Sequence, residues 1–230
     1  MKIISYNISN SKQWKIDRLL EMNADIYVVP EITCPEQAKL PDGYEMAWNG
    51  IQWQWQGKDY WKGLGIIWKK GEGIVPEWYN PDLFYAIPLL VDDIIILAFW
   101  PTKRKNVTDN KLYPQIAQEL IAEYAPHFKD KKVLIIGDYN CYVNQFDYSE
   151  KYGDILRIKE ILEGYGLKSV YHERTGEDFG KEMKPTYYHM FKEDRPFFID
   201  YAFTNMKPFA YEIGQWDKDM SDHCPQMIVL

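Results

Sequence analysis

The sequence predicts an α/β or α+β sandwich richer in strands than in helices. Short apolar runs of strand length recur along the chain, rich in β-branched and aromatic residues and bounded by turn formers. Helical periodicity appears in three stretches between them. No internal repeat, low-complexity tract or Pro/Gly-rich linker divides the 230 residues, so residues 1–230 are expected to form a single domain around a substantial core.

In chain order, the first run is KIISYNI, which leads into a helical pattern over residues 10–22. That pattern has cap-type Asn10 and Ser11, followed by Trp14, Ile16, Leu19 and Leu20 at helical spacing. DIYVVP is the second run. WNGIQWQWQGKDYWKG, Trp48 to Gly63, suits a hairpin and precedes LGIIWKK. After IIILAFW, a second helix is expected over residues 111–125, with Leu112, Ile116, Leu120, Ile121 and Tyr124 near one face. KVLIIGD is followed by a third, over residues 152–164, built on Ile155, Ile158, Ile161 and Leu162, with Gly164 and Gly166 as its stop. FFIDYAF and PQMIVL complete the set.

Composition narrows the function. Apolar residues at 46% and charged ones at 27% are ordinary for a soluble globular protein. Aromatics reach 16%, with nine Trp, which fill a core and also leave rings for stacking. A net charge of −7 argues against coating nucleic acid by bulk electrostatics. It leaves open an enzyme that meets phosphates through a metal ion. The three Cys (Cys34, Cys141, Cys224) are odd in number and form no CxxC, so neither a disulfide framework nor a zinc ribbon is indicated. The N-terminus lacks a secretory pattern and no run approaches about 18 apolar residues. The expectation is a cytoplasmic monomer without a membrane span.

The chemistry gathers where apolar runs stop. Asn7 ends the first, Glu31 follows the second, Asp138 and Asn140 close VLIIGDYN, and FFI runs into Asp200. Asp222 and His223 precede the last run. Ends of neighbouring strands converge in one cleft even when far apart in sequence. Carboxylates and amides are the oxygen ligands a hard divalent cation takes. Asp200 lies inside an apolar run, where an unpaired acid is costly, so it needs a partner, and an imidazole is the natural one. Singly, each position has a plainer reading as a turn, cap or surface residue; together they suit a metal ion placed against a phosphate beside a general base.

These residues carry a family resemblance. MKIISYNI, PE at 30–31, KGLGIIWKK at 62–70, IIGDYN at 135–140, KPTYY at 184–188, FIDYAFTN at 198–205 and SDHCP at 221–225 occur in this order. The set resembles the endonuclease/exonuclease/phosphatase superfamily, the group of deoxyribonuclease I and exonuclease III-type repair enzymes. The resemblance implies a four-layer α/β sandwich, two mixed β-sheets packed face to face with helices outside. It implies Glu31 as principal ligand of Mg²⁺ or Mn²⁺, with Asn7 beside it and Asp222 helping. His223 then acts as general base or stabilises the phosphorane-like transition state, and Asp200 orients its ring. Asp138 aligns or deprotonates the attacking water, and Asn140 holds a phosphate oxygen.

The sequence also departs from the family pattern. Many hydrolytic members carry a further His, and repair-type members a Tyr, where this chain has Ala98-Phe99-Trp100-Pro101. Lys103 and Arg104 just beyond are candidates for the missing positive charge, against the reading of TKRK as a solvated loop. Ser9 stands where repair-type enzymes have a second acid. Trp100, with Trp53 and Trp55 of the aromatic hairpin, are further candidates for substrate contact; the hairpin rings equally suit packing. His127 is expected at a helix end, His172 in a loop or edge, and His189 near the PT segment. The leading expectation is a metal-dependent nuclease cutting DNA or RNA. The alternatives are a phosphatase or phosphodiesterase on a smaller or lipid-headgroup phosphate, and a catalytically weakened binding module.

Overall fold

A computed structural model describes residues 1–103, 111–145 and 149–230. In chain order its elements are β1 (Lys2–Ser5), α1 (Gln13–Leu20), β2 (Ile26–Ile32), β3 (Tyr44–Trp55), β4 (Lys58–Lys69), β5 (Ala86–Val91), β6 (Ile94–Phe99), α2 (Tyr113–Tyr124), β7 (Lys132–Asp138), α3 (Ser149–Tyr152), α4 (Ile155–Gly164), β8 (Lys168–Ser169), α5 (Val170–Thr175), β9 (Tyr187–Tyr188), β10 (Pro196–Phe197), β11 (Asp200–Thr204), β12 (Ala210–Ile213) and β13 (Gln226–Val229).

The strands form two mixed sheets, ordered β12-β13-β1-β2-β4-β3 and β5-β6-β7-β11-β8, with a small β9–β10 pair beside them. Strand alternation explains why the sequence runs are apolar on both parities. In the first sheet, Ile3, Val28, Leu64, Ile66 and Ile228 face the second, meeting Ile87, Leu89, Ile96, Leu134, Ile136 and Ala202 in a shared core. Their neighbours Ile4, Tyr27, Val29 and Ile67 point the other way, onto Ile16 and Leu19 of α1. The outward residues Leu97, Phe99, Val133, Ile135 and Phe203 of the second sheet pack on α2 and α4. The order helix, sheet, sheet, helix is the four-layer sandwich.

Several local expectations are corrected. Asn10 and Ser11 do not cap α1: Lys12 is the N-cap residue without a side-chain bond, and the Ser11 hydroxyl instead accepts from the Thr33 amide at 2.7 Å. The helix expected from residue 152 starts at Ile155, where the Asp154 side chain caps it by accepting from the Leu156 amide. His172 sits in helix α5, not in a loop; its ring stacks on Phe179 and bonds Glu182. Strand β5 escaped notice because Pro88 argues against a strand interior. It is tolerated because β5 is an edge strand, where a missing N–H breaks no ladder.

Among the described residues, no helix is long and apolar enough to cross a membrane. All three cysteines are buried and free of disulfides.

Candidate active site

Topology brings the strand-end residues together. Strands β1 and β2 are parallel, as are β6 and β7, so Asn7, Glu31 and Asp138 follow or close strands that end on one side. Strand β13 is antiparallel to β1 and β11 to β7, so their starts, carrying His223 and Asp200, lie on that same side. Register sets Asp138 directly opposite Asp200.

Two facing buried carboxylates repel unless a cation lies between them. The His223 imidazole is that group: Nδ1 is 2.9 Å from Asp200 Oδ2, and Nε2 lies 3.8 Å from Asp138 Oδ2. Among the described residues, this trio is the tight group of titratable side chains with metal-ligand potential, and all three are buried. Burial alone would lower the His223 pKa, but the Asp200 and Asp138 charges and the Asp200 hydrogen bond outweigh it and push it up to about 10. Burial, with the Asp200 charge, pushes Asp138 up to about 7 against the opposing pull of His223 and of the Asn140 and Asn7 hydrogen bonds.

Asn7 links this clamp to the acid on the next strand. Its Nδ2 donates to Asp138 Oδ2 at 3.0 Å and to Glu31 Oε1 at 3.4 Å, while its Oδ1 accepts from the Ser9 amide. Glu31 owes its direction to a bulge: Pro30 pairs with Leu64 and Ile32 with Gly63, leaving Glu31 as the extra residue, with φ of 63°. Its other oxygen accepts a 3.0 Å ion pair from Lys62. Carboxylate and amide oxygens such as those of the neighbouring Glu31 and Asn7 suit a hard divalent cation, and a further carboxylate, Asp222, directly precedes His223. The imidazole nitrogen already committed to Asp200 suits proton handling better than metal ligation.

Asn140 stands at the rim with φ of 52°; its amide donates to Asp138 Oδ1 at 2.9 Å and its Nδ2 to the Pro101 carbonyl. Asp222 is half-buried beside Ser221. Trp100 is buried in the inter-sheet core, T-shaped against Tyr85, so it is no exposed stacking surface, and the Lys62 ammonium lies 5.4 Å over its ring. Phe99 points to the helical side, packed on Tyr139. The Lys103 ammonium sits 5.9 Å over the Tyr113 ring. Arg104 lies outside the described residues. Positions 53 and 55 pair with Tyr60 and Lys58 in the β3–β4 ribbon.

Four residues of the site drew no role from sequence. Thr186 is wholly buried, and its hydroxyl accepts from the amides of Ile199 and Asp200 at 3.0 Å each. Ser221 donates to the Asn7 carbonyl at 2.5 Å and accepts from the His223 amide, stapling the tail to the β1 exit. Tyr187 lays its ring 4.6 Å from His223, and its hydroxyl meets His189 Nδ1 at 2.9 Å. Lys62 was visible in one respect: it continues the inward parity of Leu64, Ile66 and Trp68.

Gly137 shows how closely β6 and β7 approach each other beside the site. A Cβ there would lie 1.8 Å from the Phe99 carbonyl oxygen on the neighbouring strand. Gly137→Ala is therefore expected to destabilise the fold by at least about 2 kcal/mol, seen as a lowered urea midpoint.

A concavity of about 930 Å³ opens at the other end of β11 around Lys168, Arg174, Thr204 and Phe209. Two of its basic residues are engaged locally, Lys168 with Glu173 and Arg174 with the Pro208 and Phe209 carbonyls. The convergent acids and imidazole mark the strand-end cleft instead.

The chain shares its fold with several solved structures, an endonuclease/exonuclease/phosphatase family protein among them. It is similar to a 3′ phosphatase, NExo, from Neisseria bound to product DNA hairpin, with TM-score 0.71 and 16% identity over 99% of this chain and 98% of that one. An AP endonuclease from Archaeoglobus fulgidus gives 0.67 and 17% over 100% and 98%. A family protein from Leptotrichia buccalis gives 0.62 and 14% over 99% and 98%. No protein-family profile and no curated protein matches the sequence.

Proposed function

We propose that this protein is a divalent-metal-dependent phosphoesterase that hydrolyses phosphodiester bonds of nucleic acid. The observation that carries the reading is the buried Asp200–His223–Asp138 clamp joined through Asn7 to Glu31. The similarity in fold to a DNA-bound 3′ phosphatase and to an AP endonuclease supports DNA as the substrate class.

Glu31, Asn7 and Asp222 would hold Mg²⁺ or Mn²⁺, which when bound supplies positive charge against the phosphate oxygens. The chain's own groups do the rest. Asp138 is placed to orient a water and accept its proton, with a pKa near the range where a base works at neutral pH. His223, held as imidazolium by Asp200, donates to a phosphate oxygen as negative charge builds there. Asp200 keeps that ring in one orientation. Asn140 at the rim is placed for a second phosphate oxygen, and the Tyr187 ring for a sugar or base edge.

The test is a substrate panel: single-stranded DNA, duplex DNA, 3′-phosphorylated DNA, RNA, inositol phosphates and a generic diester, each with Mg²⁺ or Mn²⁺ or with chelator. Metal-dependent cleavage of a nucleic acid is expected. Turnover confined to the small phosphates would replace the nuclease reading with the small-substrate one, and turnover undiminished by chelator would overturn the metal requirement.

A further inference from the structure

Strand β4 alternates so that Leu64, Ile66 and Trp68 enter the core between the sheets. The next position on that parity is Lys62, at the catalytic end, where an apolar residue would continue the core. Its ammonium instead lies 3.0 Å from Glu31 Oε2 and 5.4 Å over the ring of Trp100, which follows β6 in the opposite sheet. Lys62 therefore spans the two sheets at the mouth of the cleft. Its side chain is about one-third exposed, 35%, against 18% for Glu31, so the ion pair is reachable from solvent and open to exchange.

The surroundings define what such a cation can do. Glu31 connects through Asn7 to Asp138, and Asp138 to His223. A phosphate reaching this cleft adds negative charge to a site already holding Glu31, Asp138, Asp200 and Asp222. Any divalent cation using Glu31 Oε2 meets the Lys62 ammonium on the same oxygen, and two cations cannot share it closely without repulsion. A lysine suits release, because its charge rides on a flexible four-carbon stem. The Trp100 ring keeps the stem at the cleft mouth after the ammonium leaves Glu31.

We propose that Lys62 is an exchangeable counter-charge: it competes with the divalent cation for Glu31, and once displaced it binds the phosphate's non-bridging oxygens. This rests on the phosphoesterase reading for its ligand, and extends it to a residue outside the acid and imidazole set. Lys62 acts here by touching the substrate phosphate, at the end of the two-sheet contact where its ammonium lies over the Trp100 ring.

Calorimetric titrations with Mn²⁺ alone, then with inorganic phosphate into the Mn²⁺-loaded protein, test it on wild type, Lys62→Met and Lys62→Arg. Lys62→Met is expected to bind Mn²⁺ about three- to fivefold more tightly, since an exposed competing pair is lost. It should bind phosphate about tenfold or more weakly, since a charge-assisted contact is lost. Lys62→Arg, which keeps the charge, should stay near wild type in phosphate affinity. A merely structural Lys62 would lower both affinities together in the Met variant. Unchanged or weaker Mn²⁺ binding by Lys62→Met, or unchanged phosphate affinity, would overturn the proposal. Both readouts are binding equilibria, so a wild type that shows the exchange yet cleaves no ester would sink the phosphoesterase reading and leave the role of Lys62 standing.

Discussion

His223→Ala is expected to reduce metal-dependent turnover by at least about 100-fold, the loss typical when a positioned proton-handling group is removed. The effect is large because the ring serves two masters at once. It separates Asp138 from Asp200, which register places opposite each other, and in the proposed reaction it carries positive charge toward the phosphate. Removing it leaves two buried carboxylates facing each other, so a stability loss is expected as well. The double variant His223→Ala with Asp200→Asn separates the two effects: it relieves the repulsion and restores melting temperature, but not turnover. Recovery of turnover in the double variant would show that His223 is a structural spacer.

Glu31→Gln is the second large effect. The amide keeps the shape of the carboxylate and can occupy the same bulge at φ of 63°, so folding should be spared. A neutral oxygen is a much poorer ligand for a hard divalent cation. Several kcal/mol of metal-supplied stabilisation correspond to roughly two to three orders of magnitude in rate. The expected result is that loss at low metal, with partial recovery as Mg²⁺ is raised and a half-saturation point shifted upward by at least about tenfold. An unchanged Mg²⁺ dependence would remove Glu31 from the metal-binding set.

The strand-end residues were legible because a polar group that stops an apolar run leaves a local mark: Asn7, Glu31, Asp138 and Asp200 all sit at such stops. The partner demanded by Asp200 followed from the cost of burying an acid, and the structure supplies it in His223. Groups that act through distant hydrogen bonds leave no such mark. Thr186 supports Asp200 from 14 positions away, and Ser221 reaches the Asn7 carbonyl across 214. Lys15 lies between Trp14 and Ile16 in α1. It is buried, with its ammonium on the Ile8 and Ser9 carbonyls, shaping the loop that leaves β1. Lys62 was hidden by aromatic neighbours and by the two-sheet contact that gives it meaning. In the fold, the apolar runs exposed most long strands, while β5 was masked by Pro88 and the short β8 and β12 by their length.

Hydrolysis of a DNA oligonucleotide substrate in water enriched in heavy oxygen, with the products weighed by mass spectrometry, tests the proposed chemistry most directly. Water attack on phosphorus in the Asp138–His223 cleft predicts one heavy oxygen in the new phosphate end of each cleaved bond, formed with Mg²⁺ and suppressed by chelator. Cleavage that leaves the phosphate unlabelled, or a labelled product formed equally in chelator, would contradict it.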